Sequence, residues 1–298
     1  AAGVCEFGQG TKKMLTTLVS DALHVPQHSI RVVLGDTDRM PDGIGSWGSR
    51  STGVMAGAVK GAASLLVQKG KVIAAHLMEA ATDDIEVVYG GFCVRGSPGR
   101  VVGWSQVALA ALARTIDLPP QLEPGLDAKV VYRPPVTEFG GAAAYTNSVH
   151  GAVVSVDILT GSIHPLCLVV AQDSGCILNR DIVIGQLQGG AAQGIGAALF
   201  ERLSYSEDGT PLTTSLMDYQ LPTATEMPEI RVVLFETPAP TMPYGVKGVG
   251  EAGIVGPPAA IAAAVDNALA EFAIHLTRTP MLSSDILSAI GCLSLIHI

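Results

Sequence analysis

The chain has 298 residues, 48% of them hydrophobic and 15% charged, with 34 Gly, 18 Pro and a formal charge of -9. That length can bury a substantial core as one large domain or two smaller ones, and the composition excludes a disordered chain. The acidic balance, with no cluster of Lys and Arg, excludes a nucleic-acid footprint, whereas backbone amides at loops and helix starts can still hold an anionic cofactor.

The cysteines, Cys5, Cys93, Cys167, Cys176 and Cys292, are scattered and lack any C-x-x-C spacing. No zinc, iron-sulfur or disulfide framework is therefore expected. No apolar run is long enough to span a bilayer and no charged start precedes an apolar signal core, so the expectation is a soluble, cytoplasmic chain without membrane partners. The abrupt N-terminus leaves a periplasmic location open.

In chain order, Gly8-Gln9-Gly10 forms a turn, and Met14, Leu15, Leu18, Val19 and Leu23 then recur at helical spacing. Ile30 to Leu34 reads as a strand, and residues 35 to 50, rich in Gly, Asp and Ser, as a loop. A second helix is predicted from about Thr52 to Glu79, a strand at Ile85 to Tyr89 and a helix at Trp104 to Arg114. The Pro-containing stretch from Leu118 to Pro135 marks the internal boundary, giving subdomains of about 1–135 and 136–290. Beyond it, Gly151 to Asp157 and Ile163 to Val170 read as a hairpin turning at Leu159-Thr160-Gly161. Gly185 to Leu203 is a small-residue helix or helix pair, Ile230 to Phe235 a strand, and Ala259 to Phe272 an apolar helix. Strands and helices mix without regular β-α alternation, which favours an α+β fold in two packed subdomains. Residues 291–298 add no recognisable element and read as a non-native tail.

The segment richest in chemical meaning is Gly245-Val-Lys-Gly-Val-Gly-Glu-Ala-Gly253. Its glycines allow close approach of backbone to a ligand, and a carboxylate held there can accept a proton, so Glu251 is the candidate base. A helix-start glutamate favoured by the helix dipole is the alternative for the same residue. Gly248, Gly250 and Gly253 also match a dinucleotide fingerprint, but Pro238, Pro240 and Pro243 precede them where that fingerprint needs a strand, and this disfavours a nicotinamide-dependent dehydrogenase.

Gly45-Ser-Trp-Gly-Ser-Arg-Ser-Thr52 offers hydroxyls, amides and a guanidinium before a helix, suited to a phosphate or a pterin amide, or else to an ordinary helix cap through Ser49 or Ser51. Gln9 and Gln193 each carry a donor and an acceptor, as needed to grip a neutral heterocycle or a metal oxo group, or else to hold a Gly-rich turn. His150 and Asp157 fall in the predicted strand pair and define no metal site, and Asp173 and Asn179 flank a turn whose backbone they would hydrogen-bond. Ser46, Ser49 and Ser51 lack the G-x-S-x-G elbow of a serine hydrolase.

Taken together, Phe7-Gly-Gln-Gly-Thr11, Gly48-Ser-Arg-Ser-Thr52, Gly185 to Gly196, Met217-Asp-Tyr-Gln-Leu-Pro222 and Gly245 to Gly253 resemble the second molybdopterin-binding domain of the xanthine dehydrogenase and aldehyde oxidase family. The resemblance runs over roughly residues 3 to 290. It implies molybdenum held through the pterin dithiolene with no protein metal ligand, Glu251 as base, and cofactor contacts at Gln9, Gly10, Gly48, Ser49, Arg50, Ser51, Gln193 and Gly250. The implied reaction is hydroxylation of an aldehyde or N-heteroaromatic substrate with water as oxygen source. The Gly-Ser-Arg-Ser-Thr form is most like members that use molybdopterin cytosine dinucleotide.

The resemblance further implies [2Fe-2S] and FAD on partner subunits, because this sequence has no motif for either. It implies that an N-terminal half of the same subunit, supplying much of the substrate pocket, lies outside this chain, and that the piece alone is inactive. A degenerate or truncated assembly module is the non-catalytic alternative. Asn179-Arg180 stands where the family has Asn-Pro, and Tyr244 follows Pro243 where a smaller residue is common. The enzymatic reading expects a buried carboxylate at position 251.

Overall fold

A computed structural model describes residues 1–40, 42–43, 45–135 and 144–294, with side chains through residue 291. The chain divides into two units, the first comprising the described residues of Ala1–Ala144 with Ala239–Val246, the second Tyr145–Pro238 with the described residues from Lys247 onward. Residue 136, where the second subdomain was expected to begin, and residues 295–298 of the expected tail lie outside the described residues.

In the first unit, the expected apolar spacing produces helix α1 (Thr11–Leu23), which buries Met14, Leu15 and Leu18. Helix α2 (Ser51–Met78) runs 28 residues and buries mainly small ones, Gly53, Ala56, Gly57, Ala63 and Gly70 among them. Their size has a purpose, since a Cβ on Gly57 would lie 2.3 Å from the Tyr132 ring and one on Gly70 2.4 Å from Phe92. The aromatic rings press on the helix where a larger residue would hold them off.

Strands β1 (Ile85–Val88), β2 (Gly91–Val94) and β3 (Ser97–Gly103) form an antiparallel meander, followed by α3 (Trp104–Leu112). Ile73, Met78, Ile85, Phe92, Val102 and Val107 make the core between sheet and helices. Phe92 meets Trp104 edge-on at 4.8 Å, and the Trp104 indole donates to the Leu23 carbonyl at 2.9 Å, so one residue satisfies both the apolar core and the end of α1. The strand expected at Ile30 to Leu34 does not form. That segment makes a single bridge, Leu34 to Ala2, rather than a ladder, and one pair fixes no strand.

In the second unit, β4 (Asn147–Val156) and β5 (Ile163–Asp173) form the expected hairpin. The Asp157 side chain accepts from Leu159 N at 2.8 Å, and Gly161 supplies the left-handed residue at φ 72°. Strand β6 (Glu229–Phe235) joins β5 in parallel, so the order is β4-β5-β6 and the sheet is mixed. Leu168 and Val170 point inward from β5 at the period of a strand and meet Leu187, Ala191 and Ile195 of α4 (Arg180–Leu199) and Ile261 and Val265 of α6 (Pro257–Ala268). Short α5 (Ala252–Val255) precedes α6, and α7 (Ser283–Ser294), absent from the sequence reading, adds Ile286 to the core. Among the described residues no helix is long and apolar enough to cross a membrane.

Candidate functional site

In the first unit the structure brings the Gln9 turn and the 45–51 loop together. Ser46 Oγ donates to the Cys5 carbonyl at 2.8 Å and accepts from Cys5 N at 3.0 Å. Gly3 and Gly43 lie so close that a Cβ on either would fall within 2.5 Å of the other's backbone. Gln9 serves its own turn: its Oε1 accepts from Phe7 N at 2.8 Å and its Nε2 donates to the Cys5 carbonyl at 2.9 Å. One Nε2 hydrogen and one Oε1 lone pair remain for a ligand.

Glu6, which the sequence reading did not select, holds the start of α1. Its carboxylate accepts from Gly8 N and Gly10 N at 3.1 Å each and from Lys12 N at 2.6 Å. An anion is thereby already seated at that helix start. Gly10 is the N-cap residue, left-handed at φ 81°.

The start of α2 is different. Its N-cap is Arg50, whose own side chain makes no cap hydrogen bond. Gly48 and Ser49 take successive left-handed conformations at φ 61° and 54°, and the Arg50 guanidinium stacks 4.7 Å over the Trp47 ring. The amides of a helix start, beside a cation held by an indole, are a donor set that fits an anionic phosphate or a pterin amide. Among the described residues no group of three or more His, Cys, Asp or Glu could hold a metal ion directly.

In the second unit, Gly250 and Glu251 lead into α5, whose backbone is set tightly against α4. A Cβ on Gly253 would lie 2.5 Å from the Leu187 carbonyl oxygen, and one on Gly194 2.9 Å from Pro257. Glu251 is the N-cap residue of α5, but its side chain does not cap that helix. Its place at the start of α5 is the one the helix-dipole alternative describes. Ala252 and Gly253 are buried, whereas Glu251 is exposed. This corrects the expectation of a buried carboxylate: main chain, not side chain, is what packs at this step. Gln193 follows Gly190 by one turn of α4 and so flanks the α4–α5 seam, exposed like Glu251.

The Gly245 to Gly253 segment is also fastened to the sheet. Lys247 Nζ donates to Asp173 Oδ2 at 2.9 Å, with only 9% and 15% of the two side chains exposed, and Lys247 N donates to the Ser174 carbonyl at 3.0 Å. Asp173 Oδ1 accepts from Gly175 N, the expected turn contact, and from Thr237 N, both at 3.0 Å. Burial alone would raise the Asp173 carboxyl, but the bonds from Gly175, Thr237 and Lys247 outweigh it and hold it well below the usual carboxylate range.

Asn179 caps α4 by accepting from Ile182 N at 3.0 Å, and Arg180 takes the first helical position, so the departure from Asn-Pro leaves a capped helix start. Tyr244 sits in the first unit in a left-handed conformation at φ 58°. In the Met217 to Pro222 motif, the Tyr219 hydroxyl donates to Glu201, just beyond α4. His150, on β4, lies against Gly256, where an added Cβ would be 2.3 Å from the imidazole. Burial pushes this imidazole below its ordinary value, the Ala252 backbone pulls it the other way, and neither ring nitrogen meets a partner in hydrogen-bonding geometry. Gly248 to Gly253 follows a Pro-rich loop and not a strand, as β6 ends at Phe235, so the dinucleotide fingerprint lacks its context.

A family model described as a molybdopterin cofactor-binding domain matches residues 1–228. The gamma subunit of the 6-hydroxypseudooxynicotine dehydrogenase complex of Paenarthrobacter nicotinovorans is 37% identical over 96% of this chain and 35% of its own length. The xanthine dehydrogenase molybdenum-binding subunit of Escherichia coli O157:H7 is 30% identical over 94% of this chain and 36% of its own. The crystal structure of quinoline 2-oxidoreductase from Pseudomonas putida 86 superposes with a TM-score of 0.86 at 33% identity, covering 97% of this chain and 36% of that one. The chain thus spans about a third of the length of the relatives it matches. The chain therefore belongs to the molybdopterin-binding domain family of xanthine dehydrogenase and aldehyde oxidase type large subunits.

Proposed function

We propose that this chain is the C-terminal portion of a molybdenum hydroxylase catalytic subunit acting on an aldehyde or N-heteroaromatic substrate, with Glu251 as general base. One observation carries the proposal: the α5 backbone is locked against α4 at Gly253, and the exposed Glu251 stands on that fixed main chain, two positions before the lock. A general base needs that combination, because its carboxylate oxygen must reach a proton in a set position. Its exposure is consistent with a pocket that further parts of the subunit complete, since the chain spans about a third of its relatives.

Gln9, Gly10, Gly48, Ser49, Arg50 and Ser51 on the first unit, and Gln193 and Gly250 on the second, are the proposed cofactor contacts, the two units serving as subdomains of one domain. Arg50 and the start of α2 would take the anionic part of the cofactor, and the glutamine amides its neutral ring edges. The cytosine dinucleotide form of molybdopterin is proposed on the Gly-Ser-Arg-Ser-Thr loop. Bound there, the cofactor supplies the two-electron redox chemistry, and the protein supplies proton acceptance and orientation.

Partner subunits carrying [2Fe-2S] and FAD fit a relative named as one subunit of a complex. A cytoplasmic location is supported by Cys5, Cys93, Cys167 and Cys176, all unpaired. The test is Glu251→Gln in the complete subunit. Molybdenum content should be kept and turnover should fall by roughly a hundredfold or more, the range of a lost general base; ordinary turnover in that variant would exclude the role.

A further inference from the structure

The proposed base is only as well placed as the segment that carries it, and the structure shows how the sheet holds that segment. The chain leaves the second unit after Pro238 and returns to it at Lys247, four positions before Glu251. At the return, Asp173 at the end of β5 divides its carboxylate: Oδ1 takes the amides of Gly175 and Thr237, while Oδ2 takes the Lys247 ammonium. Both ends of the excursion, Thr237 and Lys247, are thus tied to one side chain. Lys247 N adds a bond to the neighbouring Ser174 carbonyl, so the returning strand is held through both its side chain and its backbone.

We propose that Asp173 is a positioning residue for the Glu251 segment, acting through Lys247. This deepens the reading of Glu251 as base and rests on it. The pair is largely buried, so water does not substitute for a lost partner, and an ammonium left facing a neutral or apolar side chain must move toward solvent. Movement of Lys247 changes the backbone path at Gly248 and strains the seat of Val249, whose partly buried side chain packs on the core of this unit. Beyond the carboxylate, Ala252 is buried in the same core and Gly253 lies against α4. Glu251 therefore lies between the ionic tie at Lys247, extended by Val249, and the close packing at Ala252 and Gly253.

The division of labour between the two oxygens makes the idea testable in the complete subunit. Asp173→Asn keeps an Oδ1 acceptor for Gly175 and Thr237 and replaces only the oxygen that faces Lys247. Hydrogen exchange should accelerate by about tenfold or more in a peptide covering 245–252 and stay unchanged in peptides covering 174–177 and 235–238. Lys247→Met removes the same link from the other side and should give the same pattern, while the double variant should be no worse than the more affected single one. Turnover should fall about tenfold in each variant with KM changed less than about threefold and molybdenum retained, the signature of a displaced group rather than a lost binding site.

Unchanged exchange at 245–252 in both single variants would overturn the proposal, as would acceleration spread evenly over the second unit or additive effects in the double variant. Failure of the base reading would look different, with faster exchange at 245–252 and normal turnover in both the Asp173→Asn and Glu251→Gln variants.

Discussion

Gly190 and Gly253 meet where α4 touches α5, so closely that a Cβ on Gly190 would lie 2.9 Å from the Gly253 Cα and one on Gly253 3.0 Å from the Gly190 Cα. Both neighbours are backbone, which cannot rotate aside, and α5 carries the Glu251 main chain. Gly253→Ala must therefore push the two helices apart. A loss of about 1–3 kcal/mol is expected from such overpacking, read as faster amide exchange in α4 and α5. Gly189→Ala, on the same helix with nothing within 4 Å of the added methyl, should instead be neutral or stabilising by up to about 1 kcal/mol, since it only removes helix-disfavouring freedom.

Breaking the Asp173–Lys247 pair has a stability consequence as well. Lys247→Ala leaves a carboxylate that is only 15% exposed without its ammonium, and a loss of about 3 kcal/mol is expected for an ion pair so placed. The pH dependence has a definite sign. The folded-state carboxyl lies below the ordinary value of 3.8, so its contribution is complete above that value and disappears as pH falls through the folded-state one. Urea titrations of the complete subunit at falling pH should show a shallower acid decline in Asp173→Asn than in the unsubstituted protein; equal slopes would refute this assignment.

Local signals made much of this architecture legible. Apolar spacing located α1, runs of small residues located α2 and α4, and Leu159-Thr160-Gly161 marked the β4–β5 turn, where Gly161 is left-handed. Strand β3 hid because Pro98 and Gly99 break its pattern and most of its residues are exposed, leaving no alternation to read. The Gly-rich setting of Glu251 was visible, but its exposure was not, because burial depends on which groups the surrounding chain stacks over a residue. Asp173 was readable as a turn former through Gly175, whereas its bond to Lys247 spans 74 positions and no local pattern announces it.

Glu6 was overlooked for a related reason, as its role arises only when the chain doubles back over Gly8, Gly10 and Lys12. Glu6→Ala should leave those three amides without their carboxylate and destabilise the start of α1 by about 1 kcal/mol. Exchange of the Gly10 and Lys12 amides should rise while the middle of α1 is little changed. A variant with full protection at Lys12 would show that the carboxylate is not what holds the turn.

His150 provides the second pH-dependent term, with its own window. Its ring lies against Gly256, its nitrogens are buried without hydrogen-bonding geometry to any described group, and burial lowers its pKa from the ordinary 6.5. A histidine kept neutral in the folded state binds its proton more readily once unfolded. Its linkage is therefore neutral above 6.5, and stability is lost as pH falls from there toward the folded-state value. His150→Phe keeps a flat ring against Gly256 and removes both the titration and the unsatisfied nitrogens. Melting temperatures taken from about pH 8 to about pH 5 should fall less in this variant than in the parent, with no deficit at the upper end. Parallel curves would mean that the imidazole finds a partner for its proton, and that the α5–α6 junction beside it tolerates charge.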